Sequence, residues 1–149
     1  MIILDTNVVS EPLKPAPNPA VMDWLNAQEP ETLYLTTINL AELLAGVELL
    51  PAGRRKNLLK QSLVSQVQIL FAGRILTFDT HAAETFAITH AAALQHGNTI
   101  GFPDCAIAAI ARTHGFAVAT RNTRDFRGTG ITVINPWDHP AALINPNAG

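Results

Sequence analysis

Four acidic residues in this chain have positions that suit shared chemistry. Asp5 follows at once on the apolar run Met1–Ile2–Ile3–Leu4 and precedes Thr6–Asn7. Such a run, ending in polar turn residues, reads as a buried parallel strand. A carboxylate at its carboxyl end lies where open α/β sheets place their ligand crevice. Glu42 falls early in an expected helix, Asp104 in the first turn of another, and Asp125 just after a later strand. Acids gathered at one sheet edge repel one another, a cost without gain in a purely structural role. A hard divalent cation removes that repulsion. Mg²⁺ and Mn²⁺ prefer oxygen ligands and keep several waters, so two or three carboxylates plus a phosphate complete the shell. Such sites activate water and stabilise charge on a phosphodiester during transfer.

Each acid also has a simpler reading. Asp5 can bond its own backbone two residues on, as turn acids do. Asn39-x-x-Glu42 has capping-box spacing, which would make Glu42 the N3 acid of a cap led by Asn39. Asp104 follows Pro103 in a first turn, where an acid favours the helix dipole. Asp125 can be an ordinary loop acid. It is their joint placement that points to a cation.

Other chemistries fit less well. The five histidines show no HExxH or paired zinc spacing, and a single cysteine cannot build a thiolate site. Ser10 lacks a GxSxG context. There is no P-loop, and no GxGxxG follows the first strand. Cys105 near a helix start has two readings: a thiol of lowered pKa, or a small side chain packed beneath the site.

The elements that must position the acids alternate along the chain. Strands are expected over 2–5, 33–36, 74–77, 116–120 and 131–134. Helices are expected from Pro19 to about Ala27 and over 38–50, 54–67, 80–95 and 103–114, the last closed by Gly115. Strands alternating with helices imply a parallel sheet with helices on both faces. The 149 residues make one domain.

Only 15% of residues are charged while 48% are hydrophobic, which gives a generous apolar surface for a partner to cover. The leucines at 43, 44, 49, 50, 58, 59 and 63, with Val21, Trp24 and Leu25, exceed what one small sheet face can bury. A net charge of −2 argues against a generic polyanion binder. Basic residues nevertheless cluster at Arg54, Arg55, Lys56 and Lys60, which reads as a solvated helix face. A second cluster, Arg121, Arg124 and Arg127, surrounds Asp125. No apolar stretch reaches the roughly 20 residues that span a bilayer. The apolar N-terminus is too short for a signal peptide, and Cys105 has no internal disulfide partner. A cytoplasmic protein with no membrane association is expected.

Four segments together resemble the PIN domain, specifically its VapC/FitB-like group of toxins from type II toxin–antitoxin pairs. They are Ile3–Leu4–Asp5–Thr6–Asn7, Asn39–Leu40–Ala41–Glu42–Leu43, Pro103–Asp104–Cys105–Ala106–Ile107–Ala108, and the stretch from Ala119 to Phe126 that leads to Ile134–Asn135–Pro136–Trp137. The resemblance covers residues 1–137 and leaves 138–149 as a flexible C-terminal tail. It implies a three-layer PIN-like α/β fold with a parallel sheet of four to five strands. It implies a Mg²⁺- or Mn²⁺-dependent endoribonuclease in which Asp5, Glu42 and Asp104 hold the metal. Thr6, Asn7 and Thr120 match polar residues that order the site. Many family members have Asp where this chain has Asn122, so Asp125, or both residues through water, would complete the set. By their position beside Asp125, and not from the resemblance, Arg121 and Arg124 are expected to meet RNA phosphate. The implied partners are a cognate antitoxin, RNA, operator DNA through the antitoxin, and a second copy of the chain. The alternative function is a regulatory subunit that locks the antitoxin onto DNA, its nuclease weak or unused.

Overall fold

The first strand, β1 (Ile2–Leu4), is three residues long and buried on both faces. Ile3 packs with Ile107, Ile110 and Val118 on one side. Leu4 packs with Leu35, Val47 and Phe71 on the other. That two-sided burial is why the strand reads as a continuous apolar run. The computed structural model describes residues 1–139. Most of the expected tail therefore lies outside the described residues.

Four further strands, β2 (Leu33–Thr36), β3 (Ile75–Leu76), β4 (Ala117–Ala119) and β5 (Val133–Ile134), join β1 in one sheet of order β3-β2-β1-β4-β5. Every pairing is parallel. The order grows from β1 to one edge, then resumes on its other side, so the connections diverge between β1 and β4. In open sheets that switch point opens a crevice at the carboxyl ends of the strands, and here Asp5 and Thr120 follow β1 and β4 directly.

The helices are α1 (Thr6–Ser10), α2 (Pro19–Asn26), α3 (Thr37–Glu48), α4 (Arg54–Leu70), α5 (Thr80–Gln95) and α6 (Phe102–His114). One sheet face is covered through Trp24, Leu43, Val47, Leu63 and Val67 of α2, α3 and α4. The other is covered by α5 and α6, which meet through small residues, with Ala82 against α6 and Thr113 Oγ1 donating to Thr85 Oγ1 at 3.1 Å. Three-layer α/β architecture with five parallel strands is thus as expected, and the boundaries shift by a few residues. Helix α6 ends at Gly115, whose φ of 70° favours glycine.

Helix α1 is an addition to the sequence reading. Its five residues are too few to display a helical period, and Val8 and Val9 favour strand. It forms because Asp5 caps it and Val8 is fully buried against the sheet. Of the crowded leucines, Leu43 and Leu63 are core, whereas Leu49 and Leu58 are 86% and 54% exposed.

Candidate active site at the carboxyl edge of the sheet

Asp5 is only 5% exposed, and both of its carboxylate oxygens are engaged. Oδ1 accepts from the Thr6 N–H at 2.8 Å and from Asn39 Nδ2 at 3.3 Å. Oδ2 accepts from Thr120 Oγ1 at 2.7 Å. Its own N–H donates to the Ala119 carbonyl at 2.9 Å, which ties β1 to β4 at the switch point. Burial pushes this carboxyl above its ordinary range. The hydrogen bonds from Thr120, Thr6 and Asn39 oppose that push, while the charge of Asp125 adds to it.

Thr120 is fully buried and links several groups. Besides donating to Asp5, its hydroxyl accepts from the Asn122 N–H at 3.1 Å and from Asn7 Nδ2 at 3.5 Å. Asn7 Oδ1 in turn accepts from the Arg121 N–H at 3.3 Å. The polar residues expected to order the site therefore do meet around Asp5.

Asn39 departs from the sequence reading. Thr36, not Asn39, is the N-cap of α3, and Asn39 is the N3 partner of a complete capping box. Thr36 Oγ1 accepts from the Asn39 N–H at 3.1 Å, while Asn39 Oδ1 accepts from the Thr36 N–H at 3.2 Å and the Thr36 hydroxyl at 2.6 Å. That leaves Asn39 Nδ2 free to reach Asp5, and also Thr6 Oγ1 at 3.3 Å. Glu42 lies a turn later, outside the cap. It is exposed, and its Oε1 accepts from Thr6 Oγ1 at 3.0 Å. The capping-box explanation of Glu42 is removed, and Asn39 enters the site as a residue the sequence reading had not assigned there. The Thr36-x-x-Asn39 spacing was the signal.

Asp104 is half-buried at the N-terminal turn of α6. Burial pushes its carboxyl up to about 6, with further contributions from the charges of Asp5, Asp125 and Glu42. Asp104 thus feels the charges of the other three acids. Cys105 behind it is buried, and burial pushes its thiol up to about 11. The packed reading of Cys105 holds, and the reactive one does not.

Asp125 sits exposed in a 3₁₀ turn, Thr123–Phe126, that Asn122 leads. The Asp125 N–H donates to the Asn122 carbonyl at 3.1 Å. Arg124 is exposed in the same turn. Arg121 is anchored elsewhere: its guanidinium lies 5.3 Å from the Trp137 ring centroid. Its charge helps hold Glu11 below the usual carboxylate range, behind the larger effects of Lys14 and the Asn18 N–H. Glu11, buried in a 3₁₀ turn over 11–13, accepts from the Asn18 N–H at 3.0 Å and ion-pairs with Lys14 at 2.8 Å. This bridge fastens the entrance of α2, and no sequence pattern had singled it out.

The donor set suits a hard cation. It offers carboxylate oxygens alone, and their charges already oppose ionisation of Asp104. The carboxylates do not form a ready-made cage: among the described residues no three Asp, Glu, His or Cys side chains stand together as a metal cluster.

Comparison with known proteins identifies the family. A PIN domain model matches residues 2–131. The chain is 46% identical over 138 residues to the VapC ribonuclease Y4jK of Sinorhizobium fredii, covering 93% of this chain and 99% of that one. It is 47% identical over 137 residues to the toxin FitB of Neisseria gonorrhoeae, with 92% and 99% covered. The solved structure of FitAB bound to an IR36 DNA fragment matches with a TM-score of 0.88 at 45% identity, over 92% of this chain and 96% of that one. A family match over residues 2–131 and relatives nearly half identical over almost their whole length decide the kinship, and the chain belongs to the PIN domain family.

Proposed function

We propose that this protein is a Mg²⁺- or Mn²⁺-dependent endoribonuclease, the toxin of a toxin–antitoxin pair, which hydrolyses RNA phosphodiesters and is silenced by a cognate antitoxin. The observation that supports this most is the gathering of the acids at the carboxyl edge of the sheet, with Asp5 held by Thr120 and Asn39, Glu42 joined to it through Thr6, and Asp104 near enough to feel the charges of Asp5, Asp125 and Glu42. Relatives named VapC ribonuclease and toxin FitB support the reaction class.

Asp5, Glu42 and Asp104 would hold the cation, with Asp125 as the fourth acid. When bound, the cation supplies charge neutralisation at the phosphate and a water of lowered pKa. Thr120 and Asn39 fix the Asp5 carboxylate, Thr6 fixes Glu42, and Asn7 braces Thr120. Asp104 or Asp5 would accept a hydrogen bond from the attacking water and orient it in line with the phosphorus. Arg124, and Arg121 if it leaves Trp137, offset phosphate charge. An RNA substrate implies action in the cytoplasm; no helix among the described residues is long and apolar enough to cross a membrane.

The antitoxin would occupy a cleft of about 320 Å³ lined by Leu13, Leu43, Val47, Leu50, Leu59 and Leu63. It opens beside Thr6 and Glu42, so an amphipathic segment lying there reaches the site. A homodimer contact on other exposed apolar surface belongs to the same reading.

The test is cleavage of single-stranded RNA with Mn²⁺, alongside growth on expression. We expect cleavage and growth arrest from the unmodified chain and neither from Asp5→Asn at an unchanged melting temperature. An Asp5→Asn protein that still cleaves would overturn the assignment. A second reading, a regulatory subunit holding an antitoxin on operator DNA, is favoured by the DNA-bound FitAB relative. It predicts a DNA-binding complex from a chain that cleaves no RNA.

A further inference from the structure

The turn that bears Asp125 is held in place by Asn98, just past the end of α5 and 27 residues earlier in the chain. Helix α5 closes with a Schellman motif: the Asn98 N–H donates to the Ala93 carbonyl at 2.9 Å and the Gly97 N–H to Leu94 at 2.9 Å. Gly97 has the required positive φ of 75°. The motif fixes the backbone of Asn98 and aims its side chain at the next layer. Asn98 Nδ2 donates to the carbonyl of Asp125 at 3.0 Å and to that of Arg127 at 2.9 Å. Both acceptors lie at the carboxyl end of the 3₁₀ turn, where carbonyls lack partners within the helix.

A second contact fixes the same approach. Gly128 has a φ of +74°, and a Cβ built on it would stand 2.7 Å from His96 Cβ. Only a glycine admits both the conformation and the closeness. The His96 ring is itself steadied by a 3.0 Å contact between Nδ1 and the Ala92 carbonyl. Phe126 and Thr129, both buried, anchor the turn from beneath, with Thr129 Oγ1 donating to the Phe126 carbonyl at 2.6 Å. The exposed carboxylate of Asp125 thus rides on a backbone that is pinned from two sides.

We infer that Asn98 is a positioning residue: by bonding the Asp125 and Arg127 carbonyls it sets where the Asp125 carboxylate stands relative to Asp5 and Asp104. The inference rests on the reading of Asp125 as the fourth acid of a cation site. Asn98 touches neither substrate nor cation, and its effect passes through the turn. Groups that act at one remove in this way alter metal affinity by about 10- to 100-fold when removed.

The experiment is a double-mutant cycle on Mn²⁺ binding by the full-length chain, read from the electron paramagnetic resonance signal of free Mn²⁺. Asp125→Asn is expected to weaken binding by about 10-fold, and Asn98→Ala by a comparable factor. The double variant should bind no worse than Asp125→Asn alone, because Asn98 has nothing left to position. Asn98→Asp, which keeps the shape but turns an oxygen toward the two carbonyls, should match Asn98→Ala and guards against a folding artefact of the truncation. If Asp125→Asn weakens binding and both Asn98 variants bind normally, the positioning role is wrong while the fourth-acid reading stands. If the losses multiply, Asn98 acts independently of Asp125 and the inference falls. If Asp125→Asn binds normally, or the unmodified chain binds no Mn²⁺, the underlying reading falls and takes the inference with it.

Discussion

Asp5 and Asp125 belong to the same acidic edge but are held in contrasting ways. At Asp5 the carboxylate itself is clamped, by the Thr6 N–H, Asn39 and Thr120, and it is 5% exposed. At Asp125 the carboxylate is exposed and only the backbone beneath it is pinned, by Asn98. The first arrangement fixes an anion in one place at the cost of desolvation. The second fixes where the carboxylate is attached and leaves its side-chain rotamer free to adjust. In the proposed site the clamped acid would hold the cation in one place, and the exposed one would turn its carboxylate to meet it.

Breaking the clamped side is expected to have the largest effect. Asp5→Asn should lower RNA cleavage by more than about 100-fold, measured as turnover with saturating Mn²⁺. Thr120→Val keeps the shape but removes a buried hydroxyl that serves Asp5, Asn122 and Asn7. We expect a loss of about 1–3 kcal/mol in unfolding free energy by urea titration. Wild-type stability in that variant would mean that the clamp does not hold Asp5.

Glu42 tests the opposite wall. Saturation with Mn²⁺ at 100 times Kd should stabilise the native state by about 2.7 kcal/mol. Glu42→Gln should reduce that gain sharply in calorimetry. On the led side, Asp125→Ala should lower cleavage by about 10-fold. Asn122→Ala should change it by no more than about 2-fold, since the Asn122 contact to Thr120 is made by the backbone N–H. Similar small losses for the two would mean that neither shapes the metal shell and that the site reduces to three acids.

The smallest effect is in the pH dependence without metal. Asp104 holds its proton more tightly in the folded chain, at about 6 against an ordinary 3.8. Its contribution to stability is therefore full below 3.8 and is lost as pH rises through about 6. The cation-free protein should lose melting temperature across that window, and Asp104→Asn should flatten the slope. Added Mn²⁺ should reverse it, because binding needs the deprotonated carboxylates.

Much of this edge was legible in the sequence because its positions follow from short-range rules. The apolar run before Asp5 announced a strand with an acid at its end, and Pro103 with Gly115 bracketed the helix that presents Asp104. What escaped depended on contacts between distant segments. Asn39 reads equally well as a cap or as a capped partner, and only the three-dimensional approach of Asp5 separates the two. Helix α1 is too short to show a period. Asn98 looks like an ordinary residue after a helix-ending glycine, and its partners lie 27 and 29 positions further on. Glu11 lies between Ser10 and Pro12, where nothing local predicts burial.

Helix α6 has a consequence for genetics. From Cys105 to Ala111 seven successive residues are buried, four of them alanine, so the helix is enclosed on every side directly behind Asp104. An added methyl group at the fully buried Ala106 or Ala109 is expected to strain the packing and shift the helix, at a cost of about 1–3 kcal/mol. Asp104, half-buried at the N-terminal turn, would travel with it. A selection for survivors of toxic expression should therefore return inconspicuous alanine substitutions in α6 alongside changes of the acids themselves. Their phenotype alone would not tell a displaced carboxylate from a missing one.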